Sequence, residues 1–136
     1  MRGTPISEGA FLGAAVGAAM AGLRPIAELM TINFAFVAMD AIVNHMAKVR
    51  YMFDGQFTVP MVIRTTTGGG KQLGATHSHA PEVIFAHFPG LYVAVPGTAY
   101  EEATAGFHLA SLDAGELEQG FATAIGSADQ GGAQRP

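Results

Sequence analysis

The chain has no cysteine, little charge and no long apolar run. Without cysteine there is no disulfide framework, thiolate zinc site or cysteine nucleophile. Charged residues make up only 13% of the 136 residues. That is about half the usual ~25% share, and it excludes a disordered polyelectrolyte, a nucleic-acid tail and a coiled coil. The net charge of −4 offers no broad basic field for nucleic acid. Gly9 to Leu23 is uncharged but rich in Gly and Ala, and shorter than the ~20 residues of a spanning helix. Glu8 interrupts any export-signal pattern after Arg2. A membrane-associated Gly/Ala helix protein is therefore the weaker alternative to a globular domain.

The 18 glycines show no three-residue period, so the chain is not collagenous. Length suits one domain. Up to residue 100 the charge is nearly balanced: Arg2, Arg24, Lys48, Arg50, Arg64 and Lys71 face Glu8, Glu28, Asp40, Asp54 and Glu82. Beyond it Arg135 stands alone against Glu101, Glu102, Asp113, Glu116, Glu118 and Asp129. So few charges on the first hundred residues fit a domain covered by partner chains. A small domain with a Gly/Ala-rich core would read the same way.

Local signals alternate helix and strand. Thr4-Pro5-Ile6-Ser7-Glu8 reads as a helix start, with Thr4 or Ser7 as cap and Pro5 in the first turn. The helix is expected to stop at Gly22. Ile26 to Thr31 reads as a short buried strand. Phe34 or Ala35 to Tyr51 reads as a helix with Phe36, Met39, Val43 and Met46 on one face and Asp40, Asn44 and Lys48 on another. Asp54-Gly55 marks a turn. Val59 to Thr65 is a β-branched run, Pro81 to His87 a short helix and Leu91 to Val95 a third strand. This order predicts an α/β fold: an open, mainly parallel sheet with helices on both faces. Ala103 to Ile125 reads as helical pieces interrupted by Gly106, Gly115 and Gly120, and Ser127 to Pro136 as a polar tail without a core pattern.

Three features bear on chemistry. Gly68-Gly69-Gly70-Lys71 resembles a phosphate loop, but Gln72 follows the lysine and Thr65 stands where the first glycine belongs. A flexible loop beside a site is the better reading. His77-Ser78-His79 offers two imidazoles. A zinc site needs a third ligand, and His87 is the nearby candidate. One catalytic or substrate-binding histidine, or plain surface histidines, are the other readings. Glu8 heads an apolar stretch. An acid there complements the helix dipole, and an acid among apolar neighbours also suits proton exchange.

Taken in order, Thr4 to Glu8, GAAVGAAMAGLRPIAELM over residues 13–30, Asn33-Phe34, MDAIVN over 39–44, KVRYM over 48–52, the triple glycine, His77-Ser78 and FPGLYVAVPGTA over 88–99 form one pattern. It resembles the beta subunit of thiamine-diphosphate-dependent 2-oxoacid dehydrogenases of the pyruvate or acetoin type, in the pyrimidine-binding domain. The resemblance implies that Glu8 contacts N1′ of the cofactor's aminopyrimidine and that Phe34 stacks on that ring. It implies His77 near the substrate and the incoming lipoyl group, as catalytic proton donor, and Ile6 and Met30 as apolar wall. Glu8 and His77 are thus the expected catalytic residues, and no metal ligand is expected in this chain. The family's Gly-Asp-Gly motif with paired Asn, which holds magnesium and diphosphate, is absent from the sequence. Thiamine diphosphate would then be shared with an alpha subunit that supplies that half of the site.

Other implied partners are a second beta subunit and a lipoyl acyltransferase, with no nucleic acid and no membrane. The implied activity is decarboxylation of pyruvate or another 2-oxoacid with reductive acylation of lipoyl groups, in a bacterial cytoplasm or, alternatively, a mitochondrial matrix. The alternative is an inactive remnant or a fragment that only docks on an alpha subunit. The sequence departs from the family at Thr76 and His79, where glutamines are usual. The resemblance fades near Tyr100. The expected organisation is an incomplete pyrimidine-binding domain over 1–100 and a divergent, weakly structured tail over 101–136, the mark of a truncated or frame-shifted product.

Overall fold

A computed structural model of the chain describes residues 2–66, residues 73–96 and the strand at 121–125. Helix α1, Glu8–Met20, turns its buried residues Leu12, Val16 and Ala19 inward. Ser7 occupies the cap position, but its side chain makes no capping bond. Its carbonyl accepts from Ala10 and Phe11 N–H at 3.1 and 3.0 Å instead. Pro5 lies outside the helix, ahead of the cap. At the other end Leu23 N–H bonds Ala18 O at 3.0 Å and Gly22 N–H bonds Ala19 O at 2.9 Å. With Gly22 at φ +91° this pair of bonds is a Schellman stop, where the sequence places it. Gly13 and Gly17 sit on the outward face, with nothing near a Cβ built there.

Strand β1, Ile26–Glu28, pairs in parallel with β2, Val62–Thr66. β2 starts later than its β-branched run. Pro60 has no N–H to give a neighbour, and Met61 N–H is spent on Val59 O at 2.9 Å. Val59 and Met61 still reach the core.

Between β1 and β2 the chain winds as one irregular helical run. Ile32–Ala38 is a 3₁₀ helix, Asp40–Met46 a π-helix and Val49–Met52 a short α-helix, α2. The winding changes which face is inside. In the 3₁₀ stretch the period is three, so Ile32, Ala35 and Ala38 are buried. Phe36, expected on one face with Met39, Val43 and Met46, is exposed while Met46 is buried. The Asp40 face matches expectation: Asn44 Nδ2 donates to Asp40 Oδ1 at 2.8 Å, and both are exposed.

Helix α3, Glu82–Ala86, contributes Phe85 to the core, and β3 follows at Tyr92–Ala94. The link between them crosses the helical run. Lys48 Nζ donates to Pro89 O at 2.7 Å. Gly90 has φ +99°, and a Cβ there would lie 2.1 Å from Ala47 O. Only glycine fits this crossing.

The last strand, β4, Phe121–Ile125, corrects the reading of helical pieces to Ile125. It enters the sheet in parallel between β2 and β3, giving the order β1-β2-β4-β3. Phe, Thr and Ile at alternate positions are strand formers, and two ladders outweigh the local helical signal. Residues 67–72, 97–120 and 126–136, with the triple glycine, Lys71 and the rest of the tail, lie outside the described residues.

The class is α/β with a parallel sheet. One core joins α1, the helical run and α3 to Ala27, Ile63 and Val93 of the strands. Among the described residues these helices lie on one sheet face. Ile26, Glu28, Arg64 and Tyr92 point to the other face and are exposed, with Glu28 and Arg64 ion-paired.

The two special glycines separate two costs. Gly90→Ala should cost about 3 kcal/mol, from backbone strain and the collision with Ala47 together. Gly22→Ala meets open space and should cost about 1 kcal/mol. Denaturant midpoints read both; equal losses would refute the close crossing.

Candidate functional site

In an open parallel sheet, sites form outside the carboxyl ends of the strands. Here β1 ends at Glu28 and the chain continues through Leu29 and Met30 to Thr31. Leu29 N–H bonds Arg64 O at 2.9 Å, so the β1–β2 ladder carries past the last strand residue. Thr66, closing β2, donates its hydroxyl to Met30 O at 3.2 Å. These bonds place the start of the helical run at the carboxyl edge.

Two of the expected site residues meet there. Phe34 and His77 have ring centroids 5.5 Å apart with planes at 84°, an edge-to-face contact. Both are half-buried. His77 ends a single 3₁₀ turn, Ala75–His77, and the Thr76 hydroxyl lies 3.0 Å from its Nδ1. Glu8 is half-buried as the first residue of α1. Its neighbour Gly9 faces the helical run: a Cβ there would lie 3.6 Å from Val37 O. Ile6 and Met30 are 87% and 73% exposed. The structure brings Phe34 and His77 into contact; it sets Glu8, Ile6 and Met30 on the neighbouring segments.

Four further residues lie at this edge: Thr31, Asn33, Phe36 and His79. Thr31 Oγ1 donates to Asn33 Oδ1 at 2.9 Å, and Asn33 Nδ2 lies 2.6 Å from His79 Nδ1. Phe36 makes an edge contact with His79, centroids 6.2 Å apart. The Asn33-Phe34 pair and the alternate histidines are visible in the sequence. Their pairing across 46 residues is not, because no periodicity links the two segments. Among the described residues no three His, Cys, Asp or Glu side chains gather, and His87 lies against Phe88.

The contacts at this edge join Phe34 to His77, and Asn33 and Phe36 to His79.

The Phe34–His77 contact has a solution signature. Phe34→Leu should remove the ring-current displacement of the His77 ring protons in NMR spectra of the full chain. Unchanged His77 shifts would mean the two rings do not meet.

The profile of the family described as Transketolase, pyrimidine binding domain matches residues 2–111. The beta subunit of acetoin:2,6-dichlorophenolindophenol oxidoreductase from Cupriavidus necator is 51% identical over 98 residues, 72% of this chain and 29% of that protein. Mitochondrial pyruvate dehydrogenase E1 component subunit beta-2 from Oryza sativa subsp. japonica is 50% identical over 96 residues, 71% of this chain and 26% of that protein. Pyruvate dehydrogenase E1 component subunit beta from Rhizobium meliloti is 49% identical over 96 residues, covering 71% of this chain and 21% of that protein. The chain thus spans less than a third of the length of these relatives. No helix among the described residues is long and apolar enough to cross a membrane. With the match covering most of its length, the chain belongs to the transketolase pyrimidine-binding domain family.

Proposed function

We propose that this chain is the pyrimidine-binding part of the beta subunit of a 2-oxoacid dehydrogenase, of the pyruvate or acetoin type. The observation that carries the reading is the meeting of Phe34 and His77 at the carboxyl edge of the sheet, beside the helix that Glu8 begins. The similarity to the acetoin and pyruvate dehydrogenase beta subunits supports it.

Thiamine diphosphate, when bound, supplies the electron sink that decarboxylation of a 2-oxoacid requires. In this reading the Glu8 carboxyl holds a proton at the pyrimidine nitrogen N1′. Phe34 presents its ring as the shelf for the pyrimidine. Ile6 and Met30 exclude water from that ring. His77 donates a proton near the substrate and the lipoyl group. An alpha subunit supplies the magnesium and diphosphate half. A second beta subunit and a lipoyl acyltransferase complete the assembly. The bacterial relatives favour a bacterial cytoplasm, and the rice relative keeps the mitochondrial matrix as the alternative.

Exposed apolar side chains support a partnered surface. Tyr51 is 88% exposed, beside Met52, Phe53 and Phe57. Phe53 and Phe57 pack edge to face at 5.2 Å. Such a cluster marks an interaction surface. It is also what favours the second reading, a chain that docks on an alpha subunit without catalysis.

Glu8→Gln separates the two. In the chain assembled with an alpha subunit, the variant should leave assembly intact. It should slow exchange of the cofactor's C2 proton about 100-fold or more. Exchange is read by acid quench and NMR. An unchanged rate would return Glu8 to a helix-start acid and leave docking as the function.

A further inference from the structure

The turn that carries His77 has little to hold it. Ala75–His77 has no buried residue. Ser78, His79 and Ala80 are exposed, and the next buried residue is Pro81. A segment of this kind keeps a fixed conformation only if specific contacts oppose its chain entropy. The opposite wall provides them. Asn33, 7% exposed, sits in the first turn of the 3₁₀ helix next to Phe34.

The direction of its hydrogen bonds follows from Thr31. The Thr31 hydroxyl, also buried, donates to Asn33 Oδ1. The amide nitrogen is therefore the atom turned to His79, and it donates. Nδ1 of His79 must accept, which puts the proton of the neutral ring on Nε2. The Phe36 edge contact lies on the same ring. His77 and His79 thus dock on Phe34 and on Asn33 and Phe36, two alternate residues against one short helical stretch.

We infer that Asn33 and His79 are positioning residues: their amide–imidazole hydrogen bond pins the 75–79 segment so that His77 stands edge-on to Phe34. The inference rests on the proposed function for its catalytic meaning, though the pin itself does not. A glutamine carbonyl can also accept from the Asn33 amide, so the contact survives His79→Gln, whereas an aliphatic side chain breaks it.

The test uses the full chain and two variants, His79→Gln and His79→Leu. Long-range proton–nitrogen NMR of the unsubstituted chain should show His79 with Nδ1 unprotonated and Nε2 protonated. His79→Leu should move the His77 ring resonances and erase the Phe34 ring-current displacement; His79→Gln should restore both. In the assembly with an alpha subunit, His79→Leu should lower kcat for 2-oxoacid decarboxylation about tenfold or more while cofactor affinity stays within about twofold. His79→Gln should rescue kcat. A His79 ring protonated on Nδ1, or His77 resonances untouched by His79→Leu, would overturn the inference. The tautomer is read on the unsubstituted chain, so a variant that fails to fold cannot shield the claim. Intact pinning in an assembly inactive even without substitution would support the pin and defeat the functional reading alone.

Discussion

The register of β1 on β2, Ile26 against Val62 through Glu28 against Arg64, determines what reaches the carboxyl edge of the sheet. Leu29 continues the ladder to Arg64 O, and Thr66 ties down Met30 O. Thr31 is then buried with its hydroxyl aimed at Asn33. A slip of β1 by one residue would turn its side chains to the other face. It would bury Glu28 away from Arg64 and expose Ala27. The core therefore enforces the register, and the register places Met30, Asn33 and Phe34 together.

The helical run carries the second constraint. Had Ile32 to Met52 wound as a regular α-helix, Phe36 would share a face with Met39, Val43 and Met46. Tight 3₁₀ winding brings Ile32, Ala35 and Ala38 inward instead and leaves Phe36 out to meet His79. The π stretch then restores burial at Ala41, Ile42 and Met46. Irregular winding is what puts two aromatic rings at the edge rather than in the core. Such windings often mark functional segments.

Much of this was legible beforehand for physical reasons. The Gly22 stop, the Asp54-Gly55 turn and the β-branched run ending at Thr65 are local signals, and the structure follows them. Glu8 and the histidines at 77 and 79 stand out in the residues themselves, whereas the expected roles of Ile6, Met30 and Phe34 come only from the family resemblance. Three things were not legible. The winding of residues 32–46 depends on core packing, which a 3.6-residue template ignores. β4 depends on ladder partners far away in sequence. The Asn33–His79 bond depends on a loop closing over 46 residues. Each is a long-range effect that local propensity does not encode.

In the proposed function this chain is half of a cofactor site: Glu8, Phe34 and His77 would serve the pyrimidine end, and the sequence has no motif for magnesium and diphosphate. Calorimetry with thiamine diphosphate and magnesium tests that division directly, on the chain alone and on the chain mixed with an alpha subunit of a pyruvate or acetoin dehydrogenase. If the site is divided in this way, the chain alone gives no measurable heat and the mixture shows saturable binding, at about micromolar Kd or tighter. Binding of that strength by the chain alone, or none by the mixture, would contradict it.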